Sequence, residues 1–367
     1  MGGRAFHGKQ IFRWMHARGV LDAAQMTDLP QAMRDALAAD ELAGDATVTS
    51  VRRSTDDTRK LLVRLGDGAT VETVLIPGVT KGKSELPSPL MEDADASAAP
   101  DDEEDEGVAS TDVVRVTQCV STQVGCAMGC VFCASGVAGW KRNLGAHEIA
   151  LQVLLGRAHL DPNEQLRNVV YMGMGEPLHN YEATERSLRL LTHPDGIGLS
   201  SRRVTVSTSG LVPEIERLGR DFGGNIGLAI SLHAADDETR SRLMPINKKY
   251  PLAVLMAALR AYPLPRRRRI TIEYTLVAGR NDSVAEAKKV AKLLLGLPVK
   301  INLIPMNPIE ASTLGPPDMS GVLSFQRVLC DAGYSCFVRR RRGDDVSAAC
   351  GQLALLGAKP KVRVNRS

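Results

Sequence analysis

The sequence predicts an α/β protein: a partial barrel of six βα units preceded by a smaller helical and β-meander region. Three observations lead there. From about residue 113 onward, β-rich runs alternate with helix-like segments, the rhythm of a parallel sheet wound with crossover helices. Between residues 78 and 112 the periodicity gives way to Gly, Pro, Ser, Ala, Asp and Glu. Ahead of that break, two helical patterns are followed by three strand-like runs separated by turn signals.

The first region covers residues 1–77. FHGKQIFRWMHA places Phe6, Ile11, Phe12 and Met15 near helical spacing, and TDLPQAMRDALAAD supplies a second short helix with Thr27 or Asp28 as its cap. TVTSVRRS, TRKLLVRL and TVETVLIP, divided by TDD and GDG, form a meander ending at Pro77. Residues 78–112 are expected to be an acidic, disordered insertion. Residues 113–367 then form the barrel, its strands carried by RVTQCVST, NVVYMGMG, RRVTVSTSG, IGLAISLHA, RITIEYTLVAG and VKINLIPMNP. Polar residues gather where these strands end, at Cys126–Cys133, Gly175 and Glu176, Ser207–Ser209, Ser231–His233 and Asn307. In a barrel those ends share one rim, where active sites are built.

A chain of 367 residues, 44% hydrophobic and 24% charged, excludes a disordered or fibrous protein. No apolar run approaches the roughly 18 residues that cross a bilayer, and the opening residues lack a secretory block, so no membrane is expected and the cytoplasm is the expected compartment. The net charge of +4 averages two objects. Residues 92–106, EDADASAAPDDEEDE, hold nine acids and no base; without those nine negative charges the rest of the chain stands at +13, a balance suited to a polyanion such as nucleic acid. Arg266–Arg269, Arg339–Arg342 and Lys248–Lys249 are the strongest basic runs, read as phosphate contacts, and Lys9, Arg13 and Arg18 add a basic helix face.

Seven cysteines in a large chain argue against a disulfide framework, and four of them fall between residues 119 and 133. In GCAMGCVFCASG, Cys126, Cys130 and Cys133 have the spacing C-x3-C-x2-C on a Gly-containing loop after a strand. Three such thiolates can hold three irons of a cubane and leave the fourth open. Zinc is the alternative, but it calls for a closed tetrahedron and no second C-x2-C is present.

With Phe132 ahead of its last cysteine, this motif resembles the signature of the radical S-adenosylmethionine (SAM) superfamily. CVSTQVGCAMGCVFCASG, GMGEP, RRVTVSTSG, AISLHA, PINKKY, INLIPMNP and RGDDVSAACGQL run in order from Cys119 to Leu353. Together they are similar to the bacterial family of dual-specificity adenine-C2 methyltransferases acting on 23S ribosomal RNA and tRNA. GKQIFRWMH and VETVLIP extend the likeness toward the N-terminus, whereas the acidic insertion is longer than the family's usual connection.

The resemblance implies a role for each matched residue. Cys126, Cys130 and Cys133 would ligate a 4Fe-4S cluster whose open iron chelates SAM, the source of a 5′-deoxyadenosyl radical; two SAM molecules are used per turnover. Gly175 and Glu176 would meet the methionyl amine, and Ser207, Ser231, Leu232, His233 and Asn307 would hold the rest of that cofactor. Cys350 would carry the methyl group and form a covalent adduct with RNA. Cys119 would remove the carbon 2 proton and close a disulfide on Cys350, and Glu72 aligns with a glutamate assigned as proton acceptor. Cys330 and Cys336 lie outside the matched motifs and are read as core. The resemblance further implies an electron donor of flavodoxin or ferredoxin type and a monomer. A carbon 8 methyltransferase of 23S rRNA, which shares the cluster and the paired cysteines, is the nearest alternative; a zinc and RNA-binding module without catalysis is the other.

Overall fold

Alternating β-branched and polar residues build the meander: Thr47–Arg53 (β1), Arg59–Arg64 (β2) and Thr70–Pro77 (β3) pair antiparallel in sequence. The computed structural model describes residues 4–39, 46–78, 91–92, 113–310 and 312–353. Of the expected acidic insertion only Gly78, Met91 and Glu92 fall inside those bounds; Met91–Glu92 (β4) is a two-residue strand, and the rest of the insertion lies outside the described residues.

The six expected barrel strands are Val114–Cys119 (β5), then, after the small hairpin of Gln123–Gly125 (β6) and Trp140–Asn143 (β7), Glu164–Tyr171 (β8), Val204–Thr208 (β9), Gly227–Ser231 (β10), Ile270–Leu276 (β11) and Val299–Pro305 (β12). Each pairs parallel with the next. A seventh parallel strand, Ser335–Arg339 (β13), joins β12 and was not expected; SCFVR is short and runs straight into four arginines, which masks its alternation. Between strands run helices such as Ala146–Arg157, Tyr181–Thr192, Val212–Phe222 and Val284–Leu293. Their apolar faces close on Val169, Val206, Ile230, Ile272 and Leu303, all essentially without solvent contact. Each such side chain contributes about 1.5–3 kcal/mol by burial.

The meander continues the barrel sheet. β3 pairs antiparallel with β5, with Val74 opposite Cys119, so the strand bearing Cys119 is flanked on both sides. The helical start keeps a small core of its own around Met26, Leu29 and Leu37, and is tied to the barrel by Arg157, which donates to the carbonyls of His16 (2.7 Å) and Ala17 (2.9 Å).

Beyond β13 the chain crosses to the far edge of the sheet. Arg342 donates to Pro77 O at 2.7 Å and pairs with Asp56 at 3.2 Å, and Gly343 N donates to Asp56 at 3.0 Å. Side chains thus bridge the seam between the last parallel strands and the meander, where no ladder joins them among the described residues. Arg266–Arg269 immediately precede β11 and therefore sit at the N-terminal end of that strand, the end opposite the rim of strand C-termini. Lys248 and Lys249 follow a turn that packs on the cysteine loop, where Val131 N donates to Leu243 O, and lie on the catalytic side.

Candidate active site

At the C-terminal ends of the strands one cavity is lined by Cys126, Cys130, Cys133, Gly175, Glu176, Ser207, Ser231, His233, Asn307 and Cys350. A second cavity adjoins it, with Met172, Ile304, Asn307 and Cys350 common to both, and is lined further by Cys119 and Arg339–Arg342. Ten of the thirteen expected site residues thus share the first cavity, and Cys119 faces the second. Leu232 is buried beneath the first cavity, its backbone spent on Glu273 O and Arg240. Glu72 lines neither cavity; it is buried on β3 and ion-paired with Lys60 at 3.0 Å.

Local chemistry positions these groups. Gln123 ties the cysteine loop to the loop after β8: its Oε1 accepts from Glu176 N at 3.0 Å, while its amide nitrogen reaches Asn143 at 2.8 Å. Gly175 has φ +102°, and a Cβ there would lie 2.6 Å from Gln123 Cβ, so only glycine fits. The Glu176 carboxylate accepts from Ser209 N (2.7 Å), Ser209 Oγ (2.8 Å) and Leu178 N (3.0 Å). Burial pushes its pKa up and these donors pull it back. An ammonium placed against it would complete the compensation.

His233 adopts a positive φ of 57°, stacks edge-on against Phe132 at 4.8 Å, and accepts from Thr275 N through Nδ1 at 2.8 Å. A backbone N–H can only donate, so the ring proton is on Nε2. Burial first, and the nearby Arg240 second, lower its pKa to about 3. The folded state therefore resists a proton that the unfolded chain takes up below the ordinary value of 6.5. Stability falls as pH drops from there toward 3, by up to about 1.4 kcal/mol per pH unit. His233→Gln is expected to flatten that acid limb in a chemical denaturation series; an unchanged limb would refute a buried neutral imidazole.

Asn307 donates to Cys350 O at 2.9 Å, and its Oδ1 is buried with no hydrogen-bond partner among the described residues. An acceptor left open in this cavity fits a ligand that brings a hydroxyl or ammonium donor. The three loop thiols are pushed upward in pKa, Cys126 to about 12, chiefly by burial and secondly, at Cys126 and Cys130, by one another. Such a set becomes thiolate when a cation is bound to it. Among the described residues no three His, Cys, Asp or Glu side chains are placed as ligands of a single metal ion; a cubane takes its thiolates from separate corners. Donor type, burial and the open acceptor suit an iron-sulfur cluster with SAM.

Cys350 sits on a turn stitched from both sides. Lys60 donates to Ser347 O at 3.0 Å, Asp345 accepts from Thr55 N at 3.1 Å and from the Ser54 hydroxyl, and Ala134 N donates to Gly351 O at 2.8 Å. Glu72, through Lys60, therefore bears on the Cys350 turn. Cys119 is held by Thr73, whose hydroxyl donates to Cys119 O at 2.7 Å, and the preceding Gln118 donates to Thr73 Oγ1 at 3.0 Å and to Gln152 O at 2.7 Å.

Two further groups, one in the cavity wall and one buried behind it, were not anticipated. Glu273, on β11, faces the first cavity and accepts from Asn302 at 3.0 Å; a lone acid inside the apolar run ITIEYTL is a signal that could have found it. Arg240 is completely buried and donates to Ser209 O (2.7 Å), Leu232 O (3.0 Å), Ser231 O (3.0 Å) and Asn247 Oδ1 (2.9 Å), clamping the ends of β9 and β10.

A parallel barrel with three loop cysteines at its rim and a polar cavity beside them defines a radical SAM enzyme. Residues 120–294 match the Radical SAM superfamily, and residues 1–41 match the family described as ribosomal RNA large subunit methyltransferase N-terminal domain. The crystal structure of a radical SAM methyltransferase from Sphaerobacter thermophilus is similar with a TM-score of 0.81 and 41% identity, covering 95% of this chain and 92% of that one. The dual-specificity RNA methyltransferase RlmN of Sorangium cellulosum (strain So ce56) is 72% identical over 99% of this chain and 93% of its own length. RlmN of Syntrophobacter fumaroxidans (strain DSM 10017 / MPOB) is 42% identical over 96% and 93%. The chain belongs to the RlmN family of dual-specificity RNA methyltransferases.

Proposed function

We propose that the protein methylates carbon 2 of adenine in 23S rRNA and in tRNA, through a methylated Cys350 and a covalent enzyme and RNA adduct. The observation that carries this reading is the position of Cys350 in the wall common to the two cavities, beside the loop cysteines on one side and Cys119 on the other. The names of the relatives support the substrate class. Carbon 2 of adenine has no lone pair to accept a methyl cation, so transfer needs a carrier and a route other than direct displacement.

When bound, a 4Fe-4S cluster with SAM supplies the methyl group and the one-electron chemistry. Cys126, Cys130 and Cys133 hold the cluster. Glu176, with Gly175 letting the backbone approach, would meet the amino group of SAM; Ser207, Ser231, the Nε2–H of His233 and the open Oδ1 of Asn307 would hold the remainder, with Leu232, its backbone already bonded, supporting them from behind. Cys350 carries the methyl carbon to the base, and Cys119 takes the carbon 2 proton and then the Cys350 sulfur. Glu72 accepts a proton or, through Lys60, fixes the Cys350 turn. The reading includes a flavodoxin or ferredoxin type electron donor, a single chain as the acting unit and the cytoplasm as its site; among the described residues no helix is long and apolar enough to cross a membrane.

The test is anaerobic reconstitution followed by nucleoside mass spectrometry on 23S rRNA fragments and tRNA. A brown protein with about four irons per chain, giving 2-methyladenosine in both RNAs, is the expected result. A colourless zinc protein, or 8-methyladenosine as the product, would overturn it.

A further inference from the structure

We propose that Arg339 is the positioning residue that prepares Cys119 to act as a thiolate, its guanidinium lining the same cavity as that sulfur with one nitrogen unpartnered among the described residues. The inference rests on the methyl-transfer reading of Cys119 and Cys350 and adds a residue to it.

Four consecutive arginines line the second cavity, and they are not equivalent. Arg342 is committed to Pro77 O and Asp56, and Arg341 to Met306 O (3.3 Å) and Asp344 (3.7 Å). Arg339, at the end of β13, has a buried Nη1 with no hydrogen-bond partner among the described residues. A guanidinium nitrogen withdrawn from water and left unpaired is costly, and is kept where another state of the molecule supplies the partner. The groups around Cys119 leave few candidates. On β3, Val74 stands opposite and Glu72 is already paired with Lys60; on β8 the neighbour is Val170. Across the cavity are Met172, Ile304, Asn307, Cys350 and the arginines.

Burial, and then Cys350, press Cys119 toward its neutral thiol; a bond from the Met172 backbone and then the Arg339 charge act in the opposite direction, and Arg339 bears in the same sense on Cys350. The chemistry asked of Cys119 needs the anion. In adduct release, the Cys119 thiolate attacks Cys350 Sγ, a sulfur–sulfur bond forms, and the Sγ–carbon bond to the adduct breaks. The electron pair of that bond passes to the departing carbon, which takes a proton to become the methyl group. Two sulfurs are oxidised to a disulfide as the carbon is reduced, so no further reductant enters this step. Arg339 holds the charge before attack.

The direct test reads the thiol itself. In cluster-loaded protein carrying Cys350→Ala, so that only Cys119 of the pair remains, alkylation of the Cys119 peptide by iodoacetamide is followed by mass spectrometry as a function of pH. Adding Arg339→Gln is expected to slow alkylation about tenfold at a given pH and to move the profile upward, whereas Arg339→Lys keeps the parent profile. Arg339→Met, which preserves the stem, replaces the glutamine variant should that one not fold. With Cys350 intact, Arg339→Gln is expected to retain RNA as an adduct that higher pH releases. An unchanged alkylation profile overturns the proposal, as does a loss of RNA affinity alone, which would make Arg339 a phosphate contact. If Cys119→Ala traps no adduct, the methyl-transfer reading fails, while the alkylation series still judges Arg339.

Discussion

Cys119→Ala is expected to leave RNA covalently bound to Cys350 while methylation of Cys350 itself proceeds. Cys119 does not line the cavity that holds the three loop cysteines, so loading of the carrier does not pass through it. It lines the adjoining cavity with Cys350, where the adduct has to be resolved. The substitution removes one sulfur from a position 8% exposed, and the Thr73 bond is to the backbone carbonyl, so the strand keeps its hold. A stability loss of about 1 kcal/mol and a fall in released product on the order of 10³-fold or more are expected. Denaturing gel electrophoresis with labelled RNA shows the adduct, and peptide mass spectrometry reports the methyl group. Methylated Cys350 without adduct would remove Cys119 from the resolving role.

The second large effect belongs to Arg240. Its guanidinium makes four hydrogen bonds at the joint of two strands, and burial draws its pKa down to about 10, so it remains charged near neutrality. Arg240→Met fills similar space but takes the guanidinium away from three carbonyls and the Asn247 amide oxygen, of which Leu232 O keeps a second bond, from Ala234 N. Each unpaired group costs about 1–3 kcal/mol, and a total near 3–5 kcal/mol is expected from denaturant midpoints. SAM affinity should fall at least about tenfold, because the carbonyls released belong to Ser209, Ser231 and Leu232. A variant within about 1 kcal/mol of the parent would show that the clamp is dispensable.

Arg240 also marks where sequence reasoning stops. In DDETRSRL it reads as a solvated helix residue, and only the turn after β10 carries it inward. The strands of the barrel were legible because β-branched runs ended in Gly, Ser or Asn, the pattern of a buried parallel sheet. The cysteine loop was legible from spacing alone, since three thiols on one short loop have few other uses. The four arginines that begin at the last residue of β13 look like a charged face, yet they close a seam and line a cavity, and Arg266–Arg269 lie at the opposite end of the barrel. Charge runs report composition; which end of a strand they adjoin decides what they meet. The pairing of β3 with β5 was equally hidden, because residues 78–112 intervene in the chain.

The pairing of β5 on both edges divides the labour between the two thiols. Cys119 is an anvil: its strand is locked by ladders to β3 and β8 and by the Thr73 hydroxyl. Cys350 is the hammer, borne on a turn whose residues Gly343, Ser347 and Gly351 all take positive φ and which is tied by the Lys60 and Asn307 side chains and by Ala134 N on Gly351 O rather than by a ladder. Whatever travel brings the two sulfurs to bonding distance must be made by the turn alone. The catalytic stroke is therefore one-sided, and its length is set by how far Lys60, Asn307 and the Ala134 N–H let their carbonyls go.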